Sequence, residues 1–237
     1  MSQTDPRFSR TEMLLGEDAL KKLANSRVIV FGIGGVGGYV VEALARSGVG
    51  ALDVVDKDTV DITNINRQII ATTATVGIPK VDVAKERILS INPACCVTAH
   101  KCFFLPETAS EFDFSAYDYC VDAVDTVTAK LAVIEHAQKA RTPVISALGA
   151  GNKLDPIALR VADIYETSID PLARIMRKEC KKRGIPALKV VYSLEPPLVP
   201  QSDAAPAPGK RTTPGSVPYV PSVMGLIIAS EVVKDLL

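Results

Sequence analysis

The chain has 237 residues, 47% of them apolar and none of them tryptophan, enough for one large α/β domain with a full core. Lysine plus arginine and aspartate plus glutamate number 27 each, so no global field draws the protein onto nucleic acid or an anionic membrane, and any such binding must come from a local patch. The five cysteines, Cys95, Cys96, Cys102, Cys120 and Cys180, include no C-x-x-C pair, which argues against a disulfide framework and against a four-thiolate zinc site.

Most of these thiols are expected to be reduced, buried strand residues. The opening MSQTDPRFSRTEM lacks the apolar core of a secretion signal. Near the C-terminus the longest apolar stretch is broken by Glu231 and Lys234, short of the ~20 residues of a membrane span. A cytoplasmic protein without a membrane partner is expected.

Arg27 to Gly32 is a short apolar run ending in glycines, and Val36, Val40, Val41 and Leu44 then recur at helical spacing until Gly48, which predicts strand, tight turn, helix. A second strand is predicted over Ala51 to Asp56. A helix opens at Pro79 with Val83, Ala84, Ile88 and Ile91 on one side, and further strands fall at 95–103, 119–124 and 143–148. Strands alternating with helices predict a Rossmann-like doubly wound α/β fold with a mostly parallel sheet over the first two thirds of the chain.

Beyond Gly151 the alternation weakens. Ile157 to Ile164 and Lys189 to Leu194 read as antiparallel additions, with a helix over Pro171 to Arg183 between them. Eight of the sixteen prolines lie between Pro196 and Pro221, so Val199 to Ser216 is expected to be a mobile loop. A final helix from about Ser222 to Leu237 would dock Val223, Leu226, Ile227, Val233, Leu236 and Leu237 on the core or on a second subunit. Residues 1–237 are read as one domain.

Gly32, Gly34 and Gly37, with Gly35 between them, form G-x-G-x-x-G directly after a strand and at the start of a helix. Small residues let the backbone approach a phosphate, and the helix N-terminus supplies unpaired N–H groups and partial positive charge. Asp56 closes the next strand, where a carboxylate accepts hydrogen bonds from ribose hydroxyls.

The open question is which nucleotide. A nicotinamide dinucleotide carries two diester charges that a helix end can manage. A nucleoside triphosphate carries about four, and releasing pyrophosphate concentrates charge on the leaving group, so cations are required. The run DVVDKDTVDITNINRQ supplies Asn64, Asn66, Arg67 and Gln68, Lys80 opens the next helix, and Asp125 ends a strand in YCVDAVDT. Arg67 and Lys80 would neutralise phosphates, Asn64 and Gln68 would hydrogen-bond phosphate or ribose, and Asp125 could hold Mg²⁺ bridging phosphate oxygens. Singly, Lys80 and Arg67 also read as surface charges and Asp125 as a helix N-cap. Together they exceed what a dehydrogenase needs.

The succession G-x-G-G-x-G, D-x-D-x-V, N-x-N-R-Q, G-x-P-K and D-x-x-D resembles the ThiF/MoeB superfamily, relatives of the ubiquitin-activating enzymes that adenylate carboxylates with ATP. The resemblance implies Asp56 at the ribose, Asn64, Arg67, Gln68 and Lys80 at the phosphates, and Asp125 at magnesium. It also implies that Arg10 reaches ATP from the opposite subunit of a homodimer. The segments EALARSGVG, NINRQI, ALGAGNKLDP and DPLAR are similar to the branch that cyclises N6-threonylcarbamoyladenosine in tRNA by ATP-dependent dehydration. The alternative is activation of the C-terminus of a ubiquitin-like sulfur carrier, a branch that typically carries two C-x-x-C pairs absent here. The resemblance leaves open a structural alkali-metal ion and a cysteine desulfurase or sulfur-acceptor partner.

A tRNA substrate requires a basic patch. Arg174, Arg177, Lys178, Lys181 and Lys182, at i, i+3, i+4, i+7 and i+8, form one stripe of a helix suited to tracking phosphates, a pattern that a solvated face also produces. Cys180 lies among these lysines and reads as a bystander on the helix surface or half-buried.

Overall fold

The computed structural model describes residues 5–105, 107–201 and 214–237, so the centre of the proline-rich segment lies outside the described residues. Among the described residues seven strands form one sheet: β1 (Arg27–Phe31), β2 (Ala51–Val55), β3 (Cys96–His100), β4 (Tyr119–Asp122), β5 (Val144–Ala147), β6 (Leu159–Asp163) and β7 (Lys189–Ser193). Their order is β3-β2-β1-β4-β5-β7-β6. All neighbours pair in parallel except β6 and β7.

The doubly wound, mostly parallel expectation holds, with one refinement in the last third. Only β6 runs antiparallel, whereas β7 pairs in parallel with β5 through Ile145↔Lys189 and Ala147↔Val191. The long connection from β5 carries β6 and a helix before returning, which allows a parallel crossover.

The described residues also form seven α-helices: α1 (Ser9–Leu15), α2 (Glu17–Asn25), α3 (Gly37–Arg46), α4 (Lys80–Ile91), α5 (Val127–Ala140), α6 (Pro171–Lys182) and α7 (Tyr219–Leu236). Side chains from α2, α3, α4 and α7 share one core with β1, β2 and β4, and those from α5 and α6 fill two clusters containing Ile29, Phe31, Cys120 and Val190. Helices α1 and α2 were not anticipated. The amphipathic α2 buries Leu20 and Leu23.

Helix α7 docks on the core of its own chain through Val220, Met224, Ile228 and Val232, at i, i+4, i+8 and i+12. Of the residues expected to dock, Val223, Ile227, Val233 and Leu236 flank this stripe, whereas Leu226 and Leu237 are exposed. Gly225 permits the approach, since a Cβ there would lie 2.4 Å from the Val36 carbonyl oxygen at the head of α3. Among the described residues no helix is long and apolar enough to cross a membrane.

A polar cluster ties β1, β2 and β3 together. The buried Asp53 carboxylate accepts from Arg27 Nε and Nη2 at 3.0 Å each and from Tyr117 Oη at 3.1 Å, and meets His100 Nε2 at 2.8 Å. Burial would raise the Asp53 pKa, but the His100 and Arg27 hydrogen bonds outweigh it and hold the carboxyl below its ordinary value. A depressed carboxyl contributes stability that is present above its unfolded value, about 3.9, and is lost as pH falls through the lower folded value. We therefore expect the melting temperature of Asp53→Asn to fall less steeply than wild type below about pH 4, from a neutral-pH starting point about 2 kcal/mol lower. Parallel acid limbs in a pH series of thermal melts would contradict this.

Candidate active site

The strand order reverses between β1 and β4, so the loops after these strands diverge at the carboxyl edge, where open α/β sheets hold ligands. A cavity of about 510 Å³ opens there. Its size is within the range of small-molecule sites.

The four glycines of the first turn divide by role. Gly32 has φ +88°, and a Cβ on it would lie 2.6 Å from the Ala123 carbonyl oxygen. At Gly37 a Cβ would overlap the Gly32 carbonyl oxygen at 1.8 Å. These two allow the turn to close against β4 and do not line the cavity. Gly34 and Gly35 do line it, and the nearest atom to a Cβ on Gly34 is Gln68 Nε2 at 3.9 Å. The missing side chain at Gly34 is therefore room for a ligand beside the first turn of α3.

Asp56 follows β2 and accepts the Ile33 amide on Oδ2 at 2.8 Å and the Asp58 amide on Oδ1 at 2.9 Å. Both oxygens keep a lone pair for ribose hydroxyls. Lys80 reaches the same place because the chain between doubles back: Val60 N–H donates to Ile78 O at 2.8 Å and Lys80 N–H to Asp58 O at 3.0 Å. Its buried ammonium lies 3.4 Å from Asp58 Oδ2 and 3.9 Å from Asp56 Oδ2, facing the cavity.

The Asn64–Gln68 cluster forms the adjoining wall. A short helical turn capped by Asp61 binds Asn64 Oδ1 through the Asp61 amide at 3.1 Å, leaving the Asn64 amide nitrogen for a ligand. Arg67 is half-buried, and its Nη1 donates to Thr63 O at 2.9 Å and Asn66 Oδ1 at 3.0 Å. Its Nε and Nη2 have no acceptor among the described residues. Gln68 is buried, and its Oε1 has no hydrogen-bond donor among the described residues, an orphan that a ligand hydroxyl or water would satisfy.

Asp125 stands exposed at the rim and is not the N-cap of α5; that position is Thr126. Among the described residues no group of three or more His, Cys, Asp or Glu could cage a metal. The donor set fits magnesium held by one carboxylate together with substrate phosphates, which is how this ion is usually bound. The half-buried Phe103, alongside the buried Phe31, Val55 and Phe104, gives the cavity an apolar lining suited to an aromatic base.

Beneath the site lies a buried network absent from the sequence reading. Lys130 Nζ donates to Asp122 at 3.0 Å and to Ala147 O at 2.6 Å, while Asp122 also accepts Ser146 Oγ and the Val124 amide. It fixes the turn that carries Asp125. Lys130 belongs to no motif; its one signal is that its neighbours at i−3, i+3, i+4 and i+7, Val127, Val133, Ile134 and Ala137, are apolar.

Three expectations fall elsewhere. Arg10 is exposed on α1 and does not line the cavity of its own chain. On α6, Arg174, Lys178, Lys181 and Lys182 are exposed, but Arg177 turns inward and donates to Thr167 O at 2.8 Å. The reading of Cys180 as a surface or half-buried residue is corrected: it is fully buried, and burial pushes its thiol up to about 11 despite the neighbouring Arg183. It shares its face with Ala173 and Met176, at i−7 and i−4, while the lysines lie on the other side. Of the remaining thiols Cys95 and Cys120 are buried, Cys102 is half-buried and Cys96 is exposed, and no disulfide forms.

Comparison with known proteins gives the family. The model of the ThiF family matches residues 8–237. The chain belongs to the ThiF family. It is 45% identical over 239 residues to tRNA threonylcarbamoyladenosine dehydratase of Bacillus subtilis, covering 97% of this chain and 94% of that protein. Its identity to the Escherichia coli dehydratase is 39% over 217 residues, covering 88% and 81%. Among solved structures, that of E. coli TcdA in complex with ATP superposes with a TM-score of 0.88 at 35% identity, covering 97% of this chain and 93% of that chain.

Proposed function

We propose that this protein is an ATP-dependent tRNA threonylcarbamoyladenosine dehydratase, and the observation that carries the reading is the convergence of Arg67 and Lys80 on one cavity beside Gly34. Both cations line the same cavity as Gly34 and Gly35, which supports a phosphate chain lying at the α3 N-terminus between them. The base would rest on the half-buried Phe103, the ribose on Asp56, and the phosphates on Arg67, Lys80 and the Asn64 amide. Asp125 would hold magnesium, which supplies charge neutralisation to the phosphate oxygens.

The chemistry follows from that placement. The free carboxylate of the modified base attacks the α-phosphorus and the bond to the β-phosphate breaks, with pyrophosphate leaving. The carbamoyl nitrogen of the same base then attacks the acyl carbon, AMP departs with the carboxylate oxygen, and the nitrogen proton passes to solvent. Nucleophile and electrophile share one molecule, so positioning and charge neutralisation do most of the work and no cysteine nucleophile is required. Cys180, buried and protonated at neutral pH, fits a scheme without one.

Helix α6 supports a tRNA substrate. Leu172 in its first turn lines the cavity, and the exposed Arg174, Lys178, Lys181 and Lys182 extend from there along the helix. A backbone held on this stripe would bring a neighbouring base to the cavity. Lys181→Glu with Lys182→Glu should weaken tRNA binding at unchanged ATP affinity and reduce the salt dependence of binding by about one counterion per lost phosphate contact. An unaltered salt slope in a binding titration would make the stripe a solvated face.

Arg10 we assign to the cavity of a second copy of the chain, since it stands beside the exposed Met13 and Leu14. The reading as a whole is tested by pyrophosphate release. Release should require tRNA bearing N6-threonylcarbamoyladenosine, and release driven instead by a small carrier protein ending in Gly-Gly would replace it with carrier activation.

A further inference from the structure

Residues 214–216 run along the rim of the cavity and are fastened on two sides. On one side Asn152 donates its amide to Gly215 O at 2.8 Å and accepts the Gly215 amide on Oδ1 at 2.6 Å. On the other, Asn66 Nδ2 donates to Ser216 O at 3.0 Å. Pro214 and Ser216 both line the cavity.

Two backbone features are built for this contact. Asn152 has φ 57°, a left-handed conformation that asparagine tolerates better than most residues, and it turns both its amide and its side chain toward Gly215. Gly151 has no side chain where Pro214 sits, and a Cβ there would lie 2.8 Å from Pro214 Cβ.

Asn66 also touches the phosphate side of the site. Its Oδ1 accepts Arg67 Nη1 at 3.0 Å while its Nδ2 holds Ser216. The amide group is planar, so a displacement of one end moves the other. The Arg67 Nη1 is thereby anchored between Thr63 O and Asn66, which leaves Nε and Nη2 for a ligand.

We propose that Asn66 is a positioning residue that holds the Arg67 guanidinium in register with a bridge, residues 214–216, which Asn152 fastens along the opposite rim. The inference rests on the dehydratase reading for its kinetic consequence: the bridge sets where the modified base meets the phosphates aligned by Arg67. Misplacement of reacting groups by an ångström costs about 100-fold in rate, so an exposed amide with little effect on stability can control turnover.

The test uses Asn66→Ala, Asn152→Gly, which keeps the left-handed backbone but removes the side-chain acceptor, and the double variant. Each single change should lower kcat about 10- to 100-fold with an unchanged melting temperature. Because both act through one bridge, the double variant should be no slower than the slower single. Multiplicative losses, or wild-type kcat in Asn66→Ala, would overturn the proposal. Gly151→Ala, which pushes on Pro214 from the far rim, should reproduce the loss of kcat at unchanged ATP affinity, and wild-type turnover would count against the bridge. A readout independent of activity is hydrogen exchange at the Gly215 amide. It should accelerate in Asn66→Ala although its acceptor Asn152 is untouched, and unchanged exchange would refute the coupling. If the wild-type protein fails to act on tRNA, the dehydratase reading falls while the exchange result still decides the bridge.

Discussion

Lys80→Ala and Arg67→Ala should each lose about 100- to 1,000-fold in turnover while the fold survives. The asymmetry between chemistry and stability follows from the partners. In the free protein Lys80 makes only long contacts, 3.4 and 3.9 Å, to two carboxylates; Asp58 is half exposed and Asp56 keeps two backbone amide donors, so removing the lysine leaves neither without a partner or solvent. With a triphosphate bound the balance changes. Asp56 and Asp58 would then face the phosphates without an intervening cation, at the moment when pyrophosphate gathers charge. Arg67→Lys separates charge from geometry: it keeps the cation but loses the planar fork that Thr63 O and Asn66 Oδ1 orient, and should recover only part of the rate. Pyrophosphate release alongside thermal melts reads both quantities. Wild-type turnover in Lys80→Ala or Arg67→Ala removes that residue from the site.

Gly37→Ala should have the largest effect on folding of any single methyl added to the first turn. The new carbon would lie 1.8 Å from the Gly32 carbonyl oxygen and 3.3 Å from Ala123 Cβ, so no side-chain rotation relieves it and the turn must open. A cost above about 4 kcal/mol is expected, a large part of the 5–15 kcal/mol that stabilises a typical domain. Gly34→Ala is the matched control. Its methyl meets nothing closer than Gln68 Nε2 at 3.9 Å and projects toward the ligand's space, so the melting temperature should hold while ATP affinity falls. Equal melting temperatures for the two variants would show that the turn is not built as described.

These two glycines show what spacing conveys and what it hides. The pattern after β1 marked a glycine turn, and Asp56, Lys80 and Asp125 line the cavity beside it because they follow a strand or open a helix at the carboxyl edge of the sheet, whereas Arg67 sits in a turn and was marked by the N-x-N-R-Q cluster. The glycine pattern did not separate Gly32 and Gly37, which serve chain packing, from Gly34 and Gly35, which face the ligand. That distinction depends on how the turn folds on itself, which sets Gly37 against the Gly32 carbonyl, and on the contact of Gly32 with Ala123, some ninety residues away. Lys130 was illegible for the same reason. A lysine on a helix reads as solvated until Asp122 and Ser146, on two other strands, are brought beneath it.

Elsewhere the signal was present and the wrong part of it was weighted. Cys180 was read from its neighbours in sequence, three lysines within two residues, although the helical period already grouped it with Ala173 and Met176 on an apolar face. In α7 the many apolar residues obscured the narrower stripe that the core selects. Strand β7 was read as antiparallel because the alternation of elements weakens after Gly151, yet α6 supplies a crossover that lets it join β5 in parallel.

Mass spectrometry of nucleosides, after incubating tRNA that carries N6-threonylcarbamoyladenosine with ATP, magnesium and the purified protein, tests most directly whether this cavity activates a carboxylate on RNA. The account predicts that the modified nucleoside loses the mass of one water, only when ATP is present, with pyrophosphate formed in equal amount. An unchanged nucleoside while ATP is consumed, or the same loss of water without ATP, would contradict it.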